Sequence, residues 1–195
     1  MYLHHTTIPV PKNMQYSSGN RLIMSLFGQK NGQNRSEMKI LWRFEEDQGK
    51  FLVQSAQPPV FYAPGMESQE VNIQAPVTGT EVEFRITINS VRRKTGRSDG
   101  HITHRQCSQY PRSDDPFDSE AIDFVRGRLS RFFIAESIQI DYQYHRVVDG
   151  KMRTRLDTVE GIGTVSDSEK LYLALIGGVG KSKSFGSGLL TIDPL

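Results

Sequence analysis

The sequence predicts an α+β protein made of two tandem ferredoxin-like units, residues 1–93 and 94–195. Three observations carry that prediction. The first half shows a β-α-β-β-x-β order of apolar patterns, the second half repeats the theme, and a strongly basic stretch over 90–115 divides them.

The opening Leu3 to Ile8 is rich in β-branched residues and bounded by Pro9 and Pro11, which predicts a strand. Leu22, Ile23, Leu26 and Phe27 recur at helical spacing after Ser17-Ser18-Gly19, and Gly28 ends the run. Met38 to Phe44 and Phe51 to Ser55 form two strands across the polar segment 45–50. Glu81 to Asn89 alternates strictly, with Val82, Phe84, Ile86 and Ile88 on one face, as a half-buried strand does. The stretch from Glu67 to Ile73 has no clear period and is expected to be irregular or weakly helical, in the slot of the first unit's second helix.

In the second half, Asp115-Pro116 predicts a helix entry, with Ile122, Val125, Leu129 and Phe132 on its apolar stripe. Ile138 to Tyr144 and Arg155 to Thr164 flank Val148-Asp149-Gly150-Lys151, a hairpin turn signal because Asp-Gly accepts positive φ. Ser166-Asp167-Ser168-Glu169 is a capping box that opens a helix running to Ile176, and Gly188 to Ile192 closes the chain as a strand.

The chain has 195 residues, 36% of them hydrophobic and 24% charged, enough to bury one sizeable core or two small ones. No apolar run approaches the roughly 20 residues of a spanning helix, and no basic segment leads into an apolar one at the start. The expectation is a cytoplasmic protein with no membrane partner. One cysteine, Cys107, excludes an internal disulfide.

The most informative segment is 177–188, which holds Gly177, Gly178, Gly180, Gly186 and Gly188, five glycines in twelve positions. These let the backbone turn tightly and present its N–H groups, while Lys181, Ser182, Lys183 and Ser184 add charge and hydroxyl donors. That chemistry suits a phosphate backbone. A nucleotide-binding P-loop would need a glycine at the position of Leu175 and a helix after Ser182, where one strand stands instead, so no nucleotide cofactor is expected.

Net charge is only +2, but the basic residues are clustered. Arg92, Arg93, Lys94, Arg97, Arg105 and Arg112 meet a single acid, Asp99, while Arg146, Lys151, Arg153 and Arg155 sit on the arms of the hairpin. With the glycine loop they make three basic segments, the distribution expected of a nucleic-acid binder.

Met1-Tyr2-Leu3, the run from Leu52 through Gln54-Ser55-Ala56-Gln57 to Val60, Phe84-Arg85-Ile86, Glu160-Gly161, and the loop from Gly178 to Leu190 together resemble CasE. This is the CRISPR RNA endoribonuclease of the type I-E Cascade surveillance complex. The resemblance implies two ferredoxin-like (RAMP-type) domains that bind the repeat stem-loop of precursor CRISPR RNA. It also implies a cut at the 3′ base of the stem by attack of a ribose 2′-OH, without metal or other cofactor, leaving a 2′,3′-cyclic phosphate. The protein would then stay on the hairpin beside the other Cascade subunits.

By the same resemblance, Arg21 and the basic residues of all three segments contact RNA, and the first helix carries a histidine that shuttles the proton. Here that position is Asn20, and a supporting tyrosine of several relatives is Ser17, with Tyr16 adjacent. Asparagine exchanges no proton near neutral pH. Either the chain is a natural member without its acid/base or a histidine has been replaced. Both readings imply slow cleavage with binding retained, and a non-cleaving hairpin-binding subunit is the alternative function.

Overall fold

The computed structural model describes residues 1–28, 35–95, 102–115, 117–148 and 152–195. Two compact units emerge, one of Met1–Ala75 with Glu169–Leu190, the other of Pro76–Ser168 with Thr191–Leu195. The chain is α+β, with two four-stranded sheets.

The first unit contains β1 (Tyr2–Pro9), a 3-10 turn (Tyr16–Ser18), α1 (Gly19–Phe27), β2 (Leu41–Glu45), β3 (Lys50–Ser55) and β4 (Glu67–Asn72). Its strand order is β2-β3-β1-β4, with all neighbours antiparallel, the ferredoxin-like arrangement. The segment expected to be irregular or helical is thus strand β4, paired from Tyr2 opposite Asn72 to Thr7 opposite Glu67. It is a polar edge strand, so it lacks the apolar alternation that announces a buried one.

Helix α1 buries Ile23, Leu26 and Phe27 against Ile8, Ile40, Trp42, Phe51 and Val53. It ends where Gly28 takes φ +65, a left-handed conformation that favours glycine. A second helix, α2 (Glu120–Leu129), belongs to the other unit, and the helix that completes the first unit is α3 (Ser168–Gly177), far away in sequence.

The second unit comprises β5 (Glu81–Asn89), the β6–β7 hairpin (Val91–Thr95 and Ile102–Gln106), α2, β8 (Phe133–Val148), β9 (Met152–Val165) and β10 (Leu190–Pro194). Its sheet order is β10-β5-β9-β8. Strand β5 has the predicted bounds but belongs to this sheet, so the chain changes unit between Ala75 and Pro76, not at 93/94. Val82, Phe84, Ile86 and Ile88 are buried as the alternation predicts, and Phe84 stacks on Phe133 at 5.6 Å.

The basic stretch expected to be a linker forms the β6–β7 hairpin, with Arg92 opposite Arg105. Helix α2 starts later than the Asp115-Pro116 signal: Asp115 accepts from the Phe117 N–H in a local turn, and Ser119 caps the helix by accepting from Ile122 N–H at 3.1 Å. Pro116 and the Asp149-Gly150 turn lie outside the described residues. Among the described residues, no helix is long and apolar enough to cross a membrane.

Candidate active site and nucleic-acid interface

The first unit brings together two of the sequence-predicted elements, the start of α1 and the glycine loop. The Tyr16 ring lies in a cluster with Trp42 at 5.5 Å, Phe44 at 6.1 Å and Phe51 at 6.5 Å, which fixes its hydroxyl. That hydroxyl donates to the Phe185 carbonyl at 3.2 Å, across 169 residues of sequence. A phenol has one proton to give, and Tyr16 gives it to the loop. Tyr16 therefore latches the loop to the helix start.

Trp42 is the shared seat. A Cβ added at Gly19, the first residue of α1, would stand 3.0 Å from the indole, and one added at Gly186 would stand 2.6 Å from it and 2.5 Å from the Tyr16 oxygen. Gly186 also has φ +80. Both contacts and the backbone demand glycine. Sequence reasoning missed Trp42; its position as the chain's single tryptophan in an apolar strand marks it as core, and only the fold shows what it seats.

The loop is closed at its neck by Val179 N–H donating to the Gly188 carbonyl at 2.9 Å. Within it, Phe185 N–H reaches Ser182 O at 2.8 Å, and the Ser187 hydroxyl reaches Lys181 O. Gly180 and Lys181 are exposed, Ser182 adopts the left-handed conformation at φ +66, and Ser182, Lys183 and Ser184 are half-buried. Lys183 donates to the Gly177 carbonyl at 2.5 Å. Burial, and then the nearby Arg35 charge, holds its ammonium below the ordinary lysine pKa. An anion beside Lys183 would relieve both effects.

Asn20 is half-buried in the first turn of α1, and its Oδ1 is fully buried with no hydrogen-bond partner among the described residues. Ser17 is exposed and donates to Gln15 Oε1 at 3.4 Å, while Arg21 is an exposed residue. His5 bonds Gln54 Oε1 at 3.1 Å, and the Gln54 amide nitrogen donates to Leu175 O at 2.8 Å, so the His5 proton sits on Nε2. Burial pushes the His5 imidazole below its usual pKa despite the Gln54 bond, with Arg43 adding to the lowering. The structure holds His5 as a neutral sheet residue.

In the second unit the basic residues part company. Arg155 is 4% exposed: it pairs with Asp157 at 2.9 Å and donates to the Cys107 carbonyl and to Gln109. The expectation that it meets RNA is therefore corrected, since every face of its guanidinium is spent tying the 107–109 segment to β9. Arg105 pairs with Glu120 at 3.2 Å, and Arg92 is exposed with its guanidinium 5.8 Å from the Phe124 ring. Arg93 and Lys94 lie on β6, Arg146 on β8 and Arg153 on β9; Arg97 and Lys151 lie outside the described residues. Among the described residues, no group of His, Cys, Asp and Glu could hold a metal.

The family model described as CRISPR associated protein matches residues 15–194. The chain belongs to that family. No curated protein sequence matches it. Its fold is shared over nearly the whole length of each of several solved family structures. CRISPR endoribonuclease Cse3 bound to a 19 nt RNA aligns with TM-score 0.73 at 19% identity, covering 99% of this chain and 98% of that one. Cas6e from Escherichia coli str. K-12 aligns with TM-score 0.67 at 22% identity, and Thermus thermophilus Cse3 bound to an RNA representing a pre-cleavage complex with TM-score 0.70 at 20% identity, each covering 100% of both chains.

Proposed function

We propose that this family member binds the repeat stem-loop of precursor CRISPR RNA and cuts it slowly at the 3′ base of the stem. It then remains on the hairpin as a subunit of a Cascade complex. Membership of the CRISPR-associated family supports the RNA class, and a chain of a CRISPR RNA-guided surveillance complex shares the fold at TM-score 0.67. The observation that carries the reading is the latch: the Tyr16–Phe185 bond and the common Trp42 seat join a cationic, glycine-turned loop to the helix start that bears Asn20.

In the cut, the ribose 2′-oxygen attacks the adjacent phosphorus and loses its proton, the bond from phosphorus to the 5′-oxygen breaks, and that oxygen takes up a proton. The products are a 2′,3′-cyclic phosphate and a 5′-OH. Lys181, Lys183, Ser182, Ser184 and the turned amides at Gly180 supply donors for the charge that builds on the phosphate. Arg21, Arg92, Arg93, Lys94, Arg97, Arg105, Arg146, Lys151 and Arg153 take the stem phosphates, because A-form RNA hides its base edges in a deep narrow groove. Among the described residues, none bonds Asn20 Oδ1 as a proton shuttle would, and neither Ser17 nor the engaged Tyr16 hydroxyl is a base at neutral pH.

The test is cleavage of repeat RNA by the chain and by Asn20→His. Restoring the acid/base is expected to raise the rate by about 10²–10⁴-fold with hairpin affinity unchanged. Equal rates would refute the role given to position 20. Failure to hold the hairpin in dilute salt would refute the RNA reading itself. Asn20 also favours a second reading, a hairpin-binding subunit that never cuts, and that reading stands if Asn20→His gains nothing while binding persists.

A further inference from the structure

A cleft of about 390 Å³ opens in the second unit, and none of its lining residues is one the RNA reading uses. Its floor is Ile122 of α2 and Ile140 of β8, and its walls include Tyr110 and Phe117, which are 73% and 52% exposed. Two aromatic rings flanking one cleft give a ligand an apolar lining to cover. Besides the Tyr110 hydroxyl, the lining holds three polar side chains. Gln109 Oε1 accepts from Arg155, leaving its amide N–H groups as donors; Gln139 donates to Glu160, leaving its carbonyl as an acceptor; Asp141 meets Arg85 through Oδ2, leaving Oδ1 to accept.

Two ligand chemistries suit aromatics with amides: an unpaired nucleobase and a guanidinium. The charge around the cleft decides between them. Asp114 and Asp115 sit in the segment between Tyr110 and Phe117 and make no ion pair among the described residues, while the neighbouring cations are already matched. Arg85 is held by Asp141 and Glu160, Arg105 by Glu120, and Arg112 by Asp118 and Asp123. A base would carry its phosphate into this negative field; a cation would be drawn in.

We propose that the cleft receives an arginine side chain from a protein partner, its guanidinium on Asp141 and the Gln139 carbonyl and its plane against the Tyr110 and Phe117 rings. Arginine fits better than lysine because it can donate to two acceptors at once while lying flat on an aromatic face. The inference stands apart from the RNA reading, since neither the loop nor the α1 start takes part.

The test is titration of the full chain with N-acetyl-arginine amide, followed by NMR at the Gln109 and Gln139 side-chain amides. The expected result is saturable shifts at both amides, weaker ones with N-acetyl-lysine amide, and none with guanosine monophosphate. Asp141→Asn is expected to weaken arginine binding about tenfold by removing the charged acceptor, while Arg85 keeps Glu160. Tyr110→Ala removes an exposed ring and tests the stacking without threatening the fold. Repeat-hairpin affinity, measured on the same samples, stays unchanged in both variants. Shifts larger with guanosine monophosphate than with arginine, or no shift with any probe, would overturn the proposal.

Discussion

Gly186→Ala is the sharpest probe of the latch. At φ +80 an alanine carries about 1–2 kcal/mol of left-handed strain. Its methyl would stand 2.5 Å from the Tyr16 oxygen and 2.6 Å from Trp42, an overpacking that costs about 1–3 kcal/mol if the loop stays in place. Lifting the loop instead sacrifices the Tyr16–Phe185 bond, about 1 kcal/mol. The cheaper route is to lift. The expected outcome is a stability loss of about 2–3 kcal/mol by urea denaturation, together with a roughly tenfold weaker hold on repeat RNA as the lysines lose their placement. Gly49→Ala is the control: its φ is +60 and an added Cβ meets nothing within 4 Å, so it isolates the strain. If the two variants matched in stability and in hairpin affinity, the latch would have no energetic content.

Arg155 and Lys181 should behave as opposites. Arg155→Ala strands the buried Asp157 carboxylate and should cost about 3–5 kcal/mol in a denaturant titration. Lys181→Ala should leave stability within about 0.5 kcal/mol while lowering by roughly one the slope of log affinity for repeat RNA against log salt. A soft Arg155→Ala, or an unchanged salt slope for Lys181→Ala, would reverse those assignments. His5 sets a pH dependence. Because its folded pKa lies below the unfolded value near 6.5, the unfolded chain binds the proton more readily, so stability is complete above that value and falls as pH drops toward the folded pKa. His5→Gln should flatten the acid limb of an unfolding free energy measured against pH.

Local pattern was enough to find α1, β5 and the arms of the long hairpin, because each carries its own period and its own stop signal. It could not say which sheet β5 would join, since alternation specifies a face and not a partner. Strand β4 escaped because an edge strand with Glu67, Gln69 and Glu70 has little apolar surface to reveal. The β6–β7 hairpin escaped because its charges suggest a linker, although Val91, Thr95, Ile102 and Thr103 are good strand formers. The site was legible in part. Lysines, serines and glycines at 177–188 advertise phosphate chemistry, and Asn20 stands out against the family pattern. That Tyr16 is committed to Phe185, that Trp42 seats both elements, and that Arg155 is buried are facts of long-range contact, and no window of neighbouring residues contains them.

The discontinuous make-up of the first unit bears on how the molecule is born. Its opening seventy-five residues are made before α3 and the glycine loop, so the early sheet must wait, one helix short, while Pro76–Ser168 of the second unit is synthesised. A nascent polypeptide that has passed Asn20 but not yet reached α3 therefore holds Tyr16 with no Phe185 carbonyl for its hydroxyl to reach. Products cut short before α3 would keep the arginines of both units and lose the cations of the late loop, so a latch that spans 169 residues of sequence ties that loop's arrival to the end of synthesis.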